Sequence, residues 1–432
     1  MNPALRAFEH TPVPITALPT ANSLGLDEVE RLEAICLLRP GLCEFGRSTV
    51  RFAQYCGVLC IGERILEILP KTDRIDRGPA DAAPAHDMLL RMLRVVHDLP
   101  SPPLGSGSHD LIRSPLIELF AGRFLAETMR LVKAGLLKSY VSRSENSPTV
   151  RGRIDWSRHL RANAGRQDRA WCEFDELTHD VAVNRVLVLA LLHLRDWLVA
   201  PTSIRLWHEL MAAFDGIAPA RRDEIERLCL DRQSRRYAAA LKWARWIIEG
   251  LSPSLRAGAA TAPALLFDMN QLFERYVAIK LARQAPPGWV VECQHDDRHL
   301  ARVLVGEQGS SPAYRLKPDL LVRRADRIVM IADTKWKRLE RDRYGKIRPS
   351  TDDMYQLNAY ATAFQECGEL ALIYPCFDGL AADTLETTMR YELAGSIGPR
   401  SRRVHVAAVD LMDDVLRVRV GSSGDVLRRL AA

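Results

Sequence analysis

The sequence has no G-x-x-x-x-G-K-[ST] run; its nearest fragment, "YGKI" at 344–347, lacks both the first glycine and the hydroxyl. Without a phosphate-cradling loop and its lysine, the chain is not expected to hydrolyse nucleotides by itself. Long apolar runs are missing as well. The greasiest stretch, "RVLVLALLHL", ends at Arg195 and Asp196 and is too short to span a bilayer. Residues 1–20 contain no continuous apolar stretch of the kind that makes a secretory leader, so a cytoplasmic protein is expected. Cysteine is sparse and odd in number, at nine, which argues for reduced thiols rather than a disulfide framework. Cys36, Cys43, Cys56 and Cys60 match no common zinc spacing and read as small buried hydrophobes. Lysine is scarce too: of 60 basic residues only nine are lysine, so each one merits inspection. There is no internal repeat and no low-complexity tract.

What is present is the composition of a globular protein, 47% hydrophobic and 26% charged, with a modest net charge of +6. At 432 residues the chain exceeds one ordinary core, and two or three domains are expected. Residues 30–70 read as short strands, among them "STVRFAQYCGVLCIG" and "RILEILPK". An amphipathic helix follows over His86–Asp98, then the Pro/Gly/Ser loop "LPSPPLGSGSHD". Ser114 and Pro115 suit the start of a helix through "LIELFAGRFLAETMRLVKAGLL". Further helices are expected at 180–199, 202–214 and 221–250. The flexible "SPSLRAGAATAPA", Ser252–Ala264, is the best linker. Beyond it the order helix, strands, helix, strand predicts an α/β domain with a mixed sheet flanked by helices. The expected fold class is therefore α/β, of α+β multidomain type. The expected division is a β-rich region at 1–110, a mainly helical one at 111–262 and the mixed-sheet domain at 263–432, closing on a helical turn or two.

One stretch sets chemistry apart from packing: "LKPDLLVRRADRIVMIADTKWKRL" at 316–339. Apolar strand-like runs carry Asp319, Asp333 and Lys335 toward an interior, where an unpartnered charge costs several kcal/mol or neutralises. Asp333 and Lys335, two apart, leave the same face of a strand. Asp319, on the preceding strand, can face Asp333 directly only if the connecting loop holds an odd number of residues. Directly opposed side chains sit about 5 Å apart at Cβ. Two carboxylates that close repel unless a cation lies between them, and oxygen-only ligands suit magnesium or manganese. A lysine beside them could position or deprotonate a water. The bland alternative is a salt-bridged edge strand, against which the apolar "IVMIA" run argues. Upstream, "DMNQLFERYVAIKLA" sets Glu274 beside an apolar stripe, where it is either a site residue or a solvated helix glutamate. Downstream, "STDDMYQLNAYATAF" starts with capping residues and carries Gln356 and Tyr360 at i and i+4, facing the site or making core-edge hydrogen bonds.

Together these residues resemble the PD-(D/E)xK nuclease superfamily, with "KPD" at 317–319 and "DTK" at 333–335 as the halves of its signature. "MNQLFERYV", "GRIDW" at 152–156 and "FDELTHDVAVNRVLVLAL" at 174–191 are similar to the McrC family, nuclease subunits of modification-dependent (type IV) restriction systems used in phage defence. The resemblance implies a restriction-endonuclease-like C-terminal domain. It implies that Asp319 and Asp333, with the Thr334 carbonyl, hold a magnesium or manganese ion and that Lys335 orients the attacking water. Glu274 would complete the metal shell or hold a water, and Gln356 and Tyr360 would position the site or the phosphate. The implied activity is phosphodiester hydrolysis of double-stranded DNA by a metal-dependent endonuclease. The implied partner is a ring-forming AAA+ GTPase of McrB type, docked on and stimulated by residues 1–262. Arg151, Arg153 and Asn184 sit in the family-like motifs, where a structural role is equally expected. The basic stretch after the signature, with Lys337, Arg338, Arg341, Arg343, Lys346 and Arg348 and interleaved Trp336 and Tyr344, would contact the DNA backbone; otherwise it is a solvated loop. The competing readings are a non-catalytic adaptor coupling DNA to a motor and a stand-alone repair nuclease.

Overall fold

The computed structural model describes residues 5–62, 64–71, 82–99, 116–250, 256–257, 260–261, 264–293, 298–305, 309–325, 327–339, 348–376, 390–393, 402–411 and 418–420. The chain forms two compact units. One joins Met1–Ser101, Ser108–Arg113 and Leu255–Ala432, and the other comprises Pro102–Gly107 and Ser114–Ser254. The expected serial division is thus regrouped, because the first and third regions share one unit. The reason is a strand exchange. Ala264–Asp268, just after the expected linker, pairs antiparallel with Tyr55–Ile61 and completes a four-stranded sheet with Leu5–Phe8 and Arg64–Leu69. Gly57, at φ +139°, permits the close approach: a Cβ there would lie 1.9 Å from the Leu265 carbonyl oxygen.

In that unit the mixed sheet runs Trp289–Cys293, Leu320–Arg324, Arg327–Thr334, Glu369–Cys376, Arg403–Asp410 and Arg390–Glu392, with Val418–Val420 also on Arg403–Asp410. The Arg327–Thr334, Glu369–Cys376 and Arg403–Asp410 strands are mutually parallel and almost wholly buried. Their continuous Val/Ile/Leu/Ala character is what burial on both faces requires. The helix Thr351–Ala363 lays Leu357, Tyr360 and Ala361 onto a core with Leu321, Ile331, Leu370, Leu372 and Val406. The opposite helix, Met269–Gln284, buries Leu272, Phe273, Tyr276 and Val277, and Asp268 caps its N-terminus by accepting from the Asn270 and Gln271 amides.

The second unit packs the helices Leu116–Lys133, Ala182–Leu194, Pro201–Ala213 and Ala238–Gly250 around Phe120, Trp243 and Trp246. A three-stranded antiparallel sheet of Ser139–Ser147, Ala170–Thr178 and Arg153–Ile154 extends from it, much of it exposed. Buried Glu118 accepts from the Val199 and Ala200 amides and the Ser203 hydroxyl, fixing the start of the Pro201–Ala213 helix. Asn184 is fully buried and donates to the Leu137 and His179 carbonyls, a structural role, while Arg153 pairs on the surface with Glu173.

Two expectations change. Residues 26–38 form a helix rather than strands, its start closed by Glu28 accepting from the Gly25 amide. The single helix expected over 221–250 breaks into Arg222–Arg227 and Ala238–Gly250. At the break the Asp231 carboxylate takes the Ser234 amide and hydroxyl, an alternative to helical bonding. The helix start at Ser114 and Pro115 and the closing helical turns fall outside the described residues.

Candidate active site

The site is built where Leu320–Arg324 meets Arg327–Thr334. Leu320 pairs with Ala332 and Leu321 with Ile331, a register that carries Asp319 opposite Asp333. The connection does not meet the odd-loop condition, since Arg324 pairs with Arg327 across only two residues. A β-bulge between Val322 and Arg323 shifts the register by one and restores the opposition. Asp319 closes the arrangement: its Oδ2 accepts from both the amide and the hydroxyl of Thr334, each at 2.7 Å.

Asp333 is 1% exposed. Its Oδ1 accepts from Gln356 Nε2 at 3.1 Å and faces the Tyr360 hydroxyl at 3.4 Å. Its Oδ2 is ion-paired with Lys335 Nζ at 2.6 Å. Burial, and then the Asp319 charge, push the Asp333 carboxyl up to about 6, although Lys335 pulls the other way. Gln356 ties the site together. Its amide also donates to the Tyr360 hydroxyl at 2.8 Å, and its Oε1 accepts from Lys335 Nζ at 2.8 Å. Tyr360 faces the Lys317 carbonyl at 3.1 Å, and burial beside Asp333 holds its phenol well above the ordinary range.

The structure thus brings Asp319, Thr334, Asp333, Lys335, Gln356 and Tyr360 into one contact network. Glu274 is buried on the Met269–Gln284 helix. The Cys293 thiol is pushed up by burial and then by the charges of Glu274 and Asp319, so it lies within electrostatic reach of both. The basic stretch divides. Lys337 is committed to Asp353, at 2.7 Å and 2.9 Å to its two oxygens, and to the Ser350 hydroxyl at 2.9 Å. Arg338 and Arg348 are exposed, whereas Arg341, Arg343 and Lys346, with Tyr344, fall outside the described residues. Trp336 is interior rather than a face for bases: its indole donates to Glu9 at 2.9 Å and its ring lies 5.5 Å from that of Phe273.

Sequence reasoning missed Asp353, which was read only as part of a helix start. It also accepts from the buried Tyr374 hydroxyl at 2.7 Å, and so joins the segment after Lys335 to the helix carrying Gln356. Two adjacent acids, Asp352 and Asp353, one helical turn before a glutamine were the available signal.

The oxygen donors suit a hard cation. Among the described residues no group of three or more His, Cys, Asp or Glu side chains is placed to hold a metal. Two carboxylates are nevertheless what magnesium takes when it keeps most of its waters, and Asp319 and Asp333 stand opposite each other on neighbouring strands. The residues fit such an ion.

The family model described as "McrBC 5-methylcytosine restriction system component" matches residues 50–375. No curated protein matches. Among solved structures, a chain of the refined half-complex from a tetradecameric assembly of Thermococcus gammatolerans McrB AAA+ hexamers with bound McrC superposes with a TM-score of 0.70. That match covers 99% of this chain and 98% of that one at 18% identity, and it shows a shared fold. A chain of the Thermococcus gammatolerans McrBC complex matches at a TM-score of 0.49 and 21% identity, over 65% of this chain and 88% of that one. With three quarters of its length inside the family match, the chain belongs to the McrBC 5-methylcytosine restriction system component family.

Proposed function

We propose that the chain is the magnesium-dependent DNA endonuclease subunit of a modification-dependent restriction system, cutting when assembled with a McrB-like AAA+ GTPase ring. The observation that carries the reading is a pair of carboxylates held opposite each other, Asp319 and the buried Asp333, the latter raised to about 6 with a lysine at 2.6 Å. Two carboxylates facing each other repel, and a cation between them would relieve that repulsion. Asp319 and Asp333, with the Thr334 carbonyl, would hold that ion, and manganese could replace magnesium. When bound, it would supply charge stabilisation at the phosphate and acidify a water.

The chain's own residues do the rest. Lys335, once its partner carboxylate is engaged elsewhere, is free to hold the attacking water or the developing charge, with Gln356 Oε1 fixing its ammonium. Gln356 and Tyr360 hold the Asp333 carboxylate in one orientation, and Glu274 takes a water at the rim. Arg338 and Arg348, with Arg341, Arg343 and Lys346, would contact DNA phosphates without reading sequence. The solved structural match is an assembly of McrB AAA+ hexamers with McrC, and the region before residue 263 is where this chain would dock on such a ring.

The test is restriction in cells carrying the intact locus, challenged with modified and unmodified DNA. Asp319→Ala and Lys335→Ala should each abolish restriction while the protein accumulates and binds its partner. Restriction retained by both variants would place the cut in another chain and leave this one an adaptor.

A further inference from the structure

Trp336 follows Lys335 directly, and Phe273 precedes Glu274; the two rings lie 5.5 Å apart. A single side chain therefore stands between the neighbours of two candidate catalytic groups. What holds that side chain comes from the other end of the sequence. Glu9, 2% exposed, accepts from the Trp336 indole N–H at 2.9 Å. Lys71, also buried, donates to the Trp336 carbonyl at 3.4 Å and lies 5.9 Å from its ring. Glu9 and Lys71 leave the ends of adjacent parallel strands of the N-terminal sheet, and the Glu9 amide is tied to the Leu69 carbonyl at 2.9 Å. His10, at φ +65°, turns the chain sharply away just after Glu9, with its imidazole 3.4 Å from the Glu9 carboxylate. A buried carboxylate and a buried ammonium are costly to bring together, and each makes a hydrogen bond with the same tryptophan, at its indole N–H and its carbonyl.

We infer that Glu9 and Lys71 are positioning residues for cleavage: they seat Trp336 so that the adjoining Lys335 and the Phe273–Glu274 turn present their side chains in register. The inference rests on the nuclease reading above. The geometry around Lys335 explains why seating matters. Its amide donates to the Ile373 carbonyl at 2.8 Å, and the Lys337 amide folds back onto the Lys335 carbonyl at 2.9 Å. Lys335 is therefore the last residue held by the sheet. From there the chain is held by Trp336 on one side and by the Lys337–Asp353 pair on the other. The N-terminal sheet in this way also contributes to the cutting site.

The experiment uses the full chain assembled with its ring partner, measuring single-turnover cleavage of modified DNA. Trp336→Phe keeps an aromatic ring and removes the indole donor. It should lower kcat by about 100-fold, the scale of an ångström's misplacement, with KM for DNA and partner GTP turnover unchanged. Hydrogen exchange should rise in the peptide containing the Lys335 and Lys337 amides. Glu9→Gln retains an acceptor and should keep kcat within about 10-fold of wild type, whereas Glu9→Leu should match Trp336→Phe. Glu67→Gln is the folding control. It disturbs a buried contact to His86, at 2.8 Å, on the same sheet without touching Trp336, and it should lower Tm but not kcat. Equal kcat losses in Glu67→Gln and Trp336→Phe would reduce the effect to general instability and overturn the inference, as would wild-type kcat in both Trp336→Phe and Glu9→Leu. Lys335→Ala separates the two levels of the argument. If it still cuts, the site reading fails; if it is dead while Trp336→Phe and Glu9→Leu are both fully active, only the positioning role fails.

Discussion

Replacing Asp333 with asparagine should stabilise the metal-free protein at neutral pH while removing its activity. The carboxyl is buried and held at about 6 against an ordinary 3.8, chiefly by desolvation and by the Asp319 charge. Because the folded chain binds this proton more tightly than the unfolded chain does, the group's contribution is full below pH 3.8 and is lost as pH rises through about 6. At about 1.4 kcal/mol per tenfold in proton affinity, the ionised group burdens the fold by roughly 3 kcal/mol at pH 8. Asparagine, nearly isosteric and uncharged, removes that burden. The gain should approach roughly 3 kcal/mol, or about 6–10 °C in Tm, at pH 8 and vanish near pH 4. Thermal unfolding of chelator-treated protein across that range measures it, and magnesium should narrow the gap by binding only the wild type. An asparagine variant no more stable than wild type at pH 8 would refute the reasoning, because Asp333 would then be a satisfied structural ion.

Asp353→Ala should cost about 2–4 kcal/mol, mostly from leaving the buried Tyr374 hydroxyl unpaired, with the half-exposed Lys337 adding little; denaturant unfolding would show it. Hydrogen bonds from Lys337 and Tyr374 outweigh burial and hold Asp353 below the ordinary carboxylate range, so its stabilisation is present above pH 3.8 and fades as pH falls through its lower native value; the deficit of the alanine variant should shrink in acid accordingly. Tyr360→Phe removes the hydroxyl that meets Gln356, Asp333 and the Lys317 carbonyl, and should lower the single-turnover cleavage rate about tenfold with little change in fold stability. Gly57→Ala should destabilise the chain by more than about 3 kcal/mol or prevent its accumulation, since the added carbon would meet the Leu265 carbonyl at 1.9 Å in a conformation alanine rarely adopts.

Much of the site was legible because its elements are local. "IVMIADTK" reads as a buried strand that exposes Asp333 and Lys335 on one face, and "SPTVRGRIDW" or "STDDMYQLNAY" carry their own punctuation. The i, i+4 spacing of Gln356 and Tyr360 puts both on Asp333, as helical geometry demands. The bulge at Val322–Arg323 was not legible, since nothing in "LLVRRADR" says that one strand carries an extra residue. Charge counting misplaced part of the basic stretch. Lys337 looks like its neighbours in sequence, but Asp353 lies across the fold at hydrogen-bonding distance and claims it. The contact between Glu9 and Trp336 spans 327 residues, and no periodicity or propensity encodes such a pairing. The same blindness hid the shared unit of the first and last regions, which depends on Ala264–Asp268 choosing the Tyr55–Ile61 edge.

The most direct test is single-turnover cleavage of modified DNA by the purified chain assembled with its ring partner, with magnesium present or chelated, comparing wild type with Lys335→Ala. The account predicts cutting only by wild type with magnesium, and equal GTP turnover by the two assemblies. Magnesium-dependent cutting that persists in Lys335→Ala would contradict it.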